Sequence, residues 1–192
     1  MNDFIYKFDI PFDKAKLIKE SQAFDYETIN TESIYRNRKS EEFDQRSFLK
    51  KNIKLIRWLN SQTSWSTSST VKDDKIKLEE SERIFKIFTD IFGTEDIEYY
   101  YLTQKQGTDV KQHVDAGVSC AINIIASGKE TPIDFQDHGK ETYKVALLNV
   151  TKAHGVPIQE EEDRVIFKIR FVNRSYEEVR DKLIEYFGKE SD

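Results

Sequence analysis

The chain has a single cysteine, Cys120. One thiol excludes an internal disulfide and a zinc site built from cysteines. Cys120 lies in an apolar run and reads as a small buried hydrophobe. There is no run of 18 apolar residues, so no segment is a transmembrane-helix candidate. The opening stretch MNDFIYKFDI lacks the charged-then-apolar layout of a secretion signal, and a cytoplasmic protein is expected. Basic residues are in deficit. Lys and Arg number 30 against 35 Asp and Glu, for a net charge of −5, which gives no general field for nucleic acid or an anionic membrane. Histidines number only 3, and no internal repeat is visible.

What is present is the balance of a folded, soluble domain. Of 192 residues, 38% are hydrophobic, 34% charged and 12% aromatic, enough for one sizeable core. The two halves are patterned differently. FIYKFDI alternates Phe4, Tyr6, Phe8 and Ile10 and predicts a strand, and DKAKLIKESQAF predicts a short helix. Leu49, Ile53, Ile56 and Leu59 recur at helical spacing between about 40 and 60, and the Ser/Thr-rich run SQTSWSTSST (61–70) reads as a loop. Ile84, Phe85, Phe88, Ile91 and Phe92 make a further amphipathic helix, stopped by Gly93. Beyond it, IEYYYLT, VSCAINIIA, TPIDF, YKVALLNV and RVIFKIRFV are short β-branched and aromatic runs separated by turns such as QDHGKE, which suggests a sandwich or barrel. A capping box, Ser175 with Glu178, opens a C-terminal helix with an apolar stripe.

The stretch KQHVDAGVSC carries the chemistry. Residues two apart on a strand point to the same side, so His113 and Asp115 can converge on one cation. A third ligand must come from another strand, and His154 in TKAHGVP follows after several strands. Two histidines and a carboxylate on one face of an ion leave the opposite face open. That suits non-heme Fe(II), and zinc also accepts such donors. Arg164 follows His154 by ten residues and opens RVIFKIRF. There Val165, Phe167, Ile169 and Phe171 share one face, and Arg164, Ile166, Lys168 and Arg170 share the other. A cation at that strand mouth can take a carboxylate in a bidentate pair. Lys168 and Arg170 are its rivals, or Arg164 is a surface cation paired with Glu162 or Asp163. Asn123, mid-strand among apolar neighbours, needs hydrogen-bond partners, structural or from a ligand.

These residues, in Y…QKQGTDVKQHVDAG…INIIASG…LLNVTKAHGVPIQEEEDRVIFKIRF, resemble the core of the Fe(II)- and 2-oxoglutarate-dependent oxygenases, and among them the prolyl-hydroxylase-like group. The resemblance spans roughly residues 95 to 172. It implies an α+β fold: a double-stranded β-helix, the jelly-roll or cupin-like core, with N-terminal supporting helices and one C-terminal helix. The chain is then one domain, 1–192, with 1–94 mainly helical support, 95–172 the core and 173–192 the final helix. The resemblance further implies Fe(II) held by His113, Asp115 and His154, and 2-oxoglutarate bound through Arg164. Gly107 matches the turn glycine before the first ligand strand. Where the group carries a tyrosine three residues before that glycine, this chain has Gln104, which keeps a hydrogen-bond donor, with Tyr99 or Tyr101 as alternatives. Asn123 is a further candidate contact, and Ile166 stands where many members have Ser or Thr.

The implied activity is oxidative decarboxylation of 2-oxoglutarate coupled to C–H hydroxylation, with dioxygen as the second co-substrate. A peptide or protein substrate is favoured over a small molecule, with nucleic acid behind both and no membrane. Two other classes stay open. One is a cupin-like metal-binding isomerase or hydrolase of a small molecule, to which Arg164 is dispensable. The other is a non-catalytic β-sandwich interaction module with incidental histidines.

Overall fold

In a computed structural model, residues 2–29, 65–71, 75–115, 118–127, 132–158 and 160–188 are described. The helix expected between about 40 and 60 lies outside them. In chain order the elements are β1 (Ile5–Lys7), α1 (Lys14–Ser21), β2 (Phe24–Ile29), β3 (Trp65–Val71), α2 (Glu79–Phe92), β4 (Ile97–Gln104), β5 (Val110–His113), β6 (Cys120–Ser127), β7 (Ile133–Phe135), β8 (Gly139–Glu141), β9 (Val145–Leu148), β10 (His154–Val156), β11 (Arg164–Phe171) and α3 (Tyr176–Phe187).

The strands form two antiparallel sheets, one in the order β1-β9-β6-β11-β4-β3-β2 and one in the order β5-β10-β7-β8. From β4 onward the chain passes back and forth between the sheets. β4, β6, β9 and β11 lie in the larger, and β5, β7, β8 and β10 in the smaller. That winding is a double-stranded β-helix, the fold that the resemblance implied. One expectation is corrected. Residues 65–70, read as loop from their serines and threonines, belong to β3, which pairs with β4 from Trp65↔Gln104 to Thr67↔Leu102. A free sheet edge supplied the backbone partners that the local sequence did not advertise.

Strand parity divides the core into two layers. On β11, Phe167, Ile169 and Phe171 pack with Leu17 of α1, Ile84 and Phe88 of α2, and Val179 and Leu183 of α3. On its other face Ile166 joins Leu102, Ala121, Ile125, Phe135 and Leu148 between the sheets. Helices therefore cover the outer face of the large sheet, and the inner face looks across at the small sheet.

The helices are anchored by polar contacts at their ends. Ser175 and Glu178 form the expected capping box of α3. The N-terminus of α2 has no cap from its own N-cap residue, Leu78. The buried carboxylate of Glu20, on α1, accepts the backbone N–H groups of Glu80 at 2.7 Å and Ser81 at 2.8 Å, with the Ser81 hydroxyl also bonded to it. A carboxylate on orphan N–H groups at a helix N-terminus is stabilising by charge and by hydrogen bonding. Glu20→Ala is expected to lower the unfolding free energy by about 2 kcal/mol, and Glu20→Gln by less. Urea denaturation checks this, and an unchanged midpoint in Glu20→Ala would refute it.

Candidate metal centre

His113 is the last residue of β5 and His154 the first of β10, and the two are register partners in the small sheet. Asp115 follows β5 by two residues and is fixed by its backbone N–H, which donates to the Val150 carbonyl at 3.0 Å. These three side chains can each offer one ligand atom, all within 4.8 Å of one another. Both His Nε2 atoms face the same carboxylate oxygen: Asp115 Oδ1 lies 3.2 Å from His113 Nε2 and 3.9 Å from His154 Nε2.

The ring tautomers suit a metal. His113 Nδ1 lies 2.8 Å from the Lys111 carbonyl, and His154 Nδ1 lies 2.8 Å from the Lys152 carbonyl. A carbonyl only accepts, so each Nδ1 carries the hydrogen and, in the neutral ring, each Nε2 keeps its lone pair. Burial, reinforced by His113, pushes the His154 pKa down to about 3, so that ring is neutral. Two lone pairs and a carboxylate oxygen thus point at one spot, an arrangement that a cation satisfies.

Burial opposes ionisation of Asp115. The Lys168 ammonium outweighs burial and holds the carboxyl well below its ordinary range. Lys168 Nζ lies 2.7 Å from Asp115 Oδ2. Burial likewise opposes the charge on Lys168, and Asp115 overcomes it, so the lysine pKa is raised.

Arg164 opens β11 and shares the cavity with the triad. It is 2% exposed, among the largest fully buried side chains of the described residues, and is bonded to the Tyr143 hydroxyl at 3.1 Å. Its Nε has no partner, and no described carboxylate lies within ion-pair distance of it. Asn123 lines the same cavity and donates to Tyr143 at 3.1 Å, leaving its Oδ1 unbonded. Gln104, opposite Arg164 on β4, also lines it, but its amide nitrogen is taken by the Thr108 and Pro157 carbonyls. Tyr101 is not brought there. It lies on the helix side of the large sheet with Ile97 and Tyr99, its hydroxyl 2.6 Å from Ser81 Oγ. The tyrosine that does reach the cavity is Tyr143, which the sequence reading missed. Its hydroxyl accepts from both Arg164 and Asn123, so its own proton is available to a ligand.

Gly155 makes the pairing of the two histidine strands possible. A Cβ there would lie 2.7 Å from the Val110 carbonyl oxygen and 3.2 Å from the Gln112 nitrogen, both backbone atoms of β5 that cannot swing aside. Gly155→Ala is expected to spread β10 from β5, move His154 off His113, and weaken divalent-metal binding by about tenfold or more. Titration calorimetry with Co(II) checks this, and an unchanged affinity would refute it.

No protein-family model and no curated protein matches the sequence. Solved structures do resemble the fold. A 2OG-Fe(II) oxygenase-family oxidoreductase from Burkholderia pseudomallei aligns at TM-score 0.38 and 15% identity, over 58% of this chain and 70% of its own. An ectoine synthase from P. lautus aligns at 0.37 and 11%, over 63% and 73%. A structure from work on DMSP lyases aligns at 0.35 and 9%, and there this chain spans 40% of the other's length. The chemistry must be argued from the site.

Proposed function

We propose that the chain is an Fe(II)- and 2-oxoglutarate-dependent oxygenase of the prolyl-hydroxylase-like group, hydroxylating a C–H bond, with a peptidyl side chain as the favoured substrate. The observation that carries this reading is a buried arginine with no counter-ion among the described residues, in the same cavity as two buried histidines and an aspartate. Buried charges are ordinarily paired. With no counter-ion among the described residues, Arg164 is suited to an anionic ligand, and a carboxylate bound beside a metal is such an anion.

In this reading His113 Nε2, His154 Nε2 and Asp115 Oδ1 hold the iron. Bound there, Fe(II) with 2-oxoglutarate and dioxygen would supply oxidative decarboxylation to succinate and carbon dioxide, one dioxygen atom entering succinate and the other the substrate C–H bond. The Arg164 guanidinium takes the far carboxylate, the Tyr143 hydroxyl donates to it, and Asn123 fixes that hydroxyl. The Lys111 and Lys152 carbonyls keep both imidazoles in the metal-ready tautomer. Ile133, Leu148 and Val150 line the cavity as apolar wall and restrict water. The peptidyl substrate class rests on the sequence resemblance alone.

The test is succinate formation from 2-oxoglutarate by anaerobically iron-loaded protein exposed to air, wild type beside Asp115→Ala, together with 2-oxoglutarate binding to the metal-loaded chain. Slow uncoupled turnover in wild type that disappears in the variant is the expected result. A metal-loaded chain that binds no 2-oxoglutarate overturns the reading in favour of a cupin-like metalloenzyme.

A further inference from the structure

Asp115 is gripped from two sides. Its Oδ1 faces the two imidazole Nε2 atoms, and its Oδ2 accepts from Lys168 Nζ at 2.7 Å. The lysine side chain is 4% exposed and the aspartate 12%. Lys168 reaches this point because it sits on the inward face of β11, between Asn123 of β6 and Tyr100 of β4. No other described carboxylate is ion-paired to it. Oδ2 cannot rotate toward a metal without leaving a buried ammonium unpaired.

We infer that Lys168 is a positioning residue that restricts Asp115 to a single-oxygen metal contact and so keeps three coordination positions open. This rests on the reading of His113, Asp115 and His154 as metal ligands. Three donor atoms from the protein occupy one face of an octahedral ion. A second oxygen from Asp115 would occupy a fourth position. The two left would admit a chelating oxo acid or leave room for dioxygen, but not both. Lys168 therefore acts through Asp115, deciding how many exogenous atoms the metal can accept.

The experiment titrates Mn(II) into the metal-free full chain and counts metal-bound waters from the broadening that isotopically enriched water gives the manganese paramagnetic resonance. Wild type is expected to hold three waters and Lys168→Met two, because the freed Oδ2 chelates. Lys168→Gln, which keeps an N–H donor at similar reach, is expected to restore three. Three waters in Lys168→Met, or two in wild type, overturns the inference. If Lys168→Met does not fold or does not take up Mn(II), the crystal structure of Mn(II)-bound wild type decides. Oδ1 alone on the metal with Lys168 on Oδ2 upholds the inference, and chelation by both oxygens or departure of Lys168 overturns it. A wild-type chain that binds no Mn(II) removes the metal reading and this inference with it. A chain that binds Mn(II) with three waters but no 2-oxoglutarate removes only the oxygenase reading.

Discussion

Replacing Arg164 with methionine is expected to stabilise the ligand-free chain while nearly abolishing its affinity for 2-oxoglutarate. The two effects have one cause. The guanidinium is buried, and among the described residues it bonds one hydroxyl and its Nε has no partner. Desolvating a charge without a counter-ion is costly, and a hydrophobic side chain of similar length relieves that cost by roughly 1–3 kcal/mol. With ligand the sign reverses. Losing one partner of a desolvated charge pair costs roughly 2–5 kcal/mol, about 30- to 4000-fold in affinity. Thermal unfolding of the metal-free proteins reads the first effect, and calorimetry of the metal-loaded proteins with 2-oxoglutarate reads the second. A less stable variant that binds 2-oxoglutarate as wild type does would assign Arg164 to structure alone. The pairing matters because a purely structural arginine loses stability when it is truncated.

The site was legible where strand parity held. His113 and Asp115 share a side because they are two apart, and Arg164, Ile166 and Lys168 line the cavity while Val165, Phe167, Ile169 and Phe171 face the helices. Parity also explains the misplacement of Tyr101. Leu102 belongs to the inter-sheet layer, so its neighbour Tyr101 points the other way and joins Phe24 and Phe167 on the helix side. Tyr143 shows where parity fails. Extended backward from β9, alternation would group it with Val145 and Leu147, which face the helices. The chain instead turns at Lys144, whose carbonyl accepts from Ile125 N–H, and the ring enters the inter-sheet layer. No local pattern encodes that turn; tertiary pairing with β6 does.

The short strands were hidden for a related reason. β8 occupies Gly139–Glu141 in a stretch that reads as turn, and it exists as a strand because β7 offers it a backbone ladder from Ile133↔Glu141 to Phe135↔Gly139. Serine and threonine in β3 were similarly overridden by the edge of β4. Lys168 was visible as a rival to Arg164, but not as the partner of Asp115. Pattern places side chains on a face, whereas pairing across the barrel depends on how far apart the two sheets stand.

Asp115→Ala is expected to remove metal binding altogether and, separately, to lower the stability of the metal-free chain by roughly 3–5 kcal/mol. The stability loss comes less from the missing hydrogen bond than from Lys168, left as a buried ammonium with no anion. The decisive protein is therefore Asp115→Ala/Lys168→Met. Removing both charges is expected to recover most of the lost stability while restoring no metal affinity, so the two single changes couple strongly in a double-mutant cycle read by urea denaturation. pH supplies a second reading with a definite sign. The folded Asp115 carboxyl lies well below its unfolded value of 3.8, so its contribution is complete above the unfolded value and fades as pH falls through the folded one. The gap between wild type and Asp115→Ala should accordingly be constant from neutral pH down to about 5 and narrow below that. Additive single-variant effects would mean that Lys168 is not held by Asp115. Stability regained together with metal binding would mean that the carboxylate is not a ligand. Recovery of stability alone separates the two tasks Asp115 performs, one oxygen neutralising a buried lysine and the other completing a metal site.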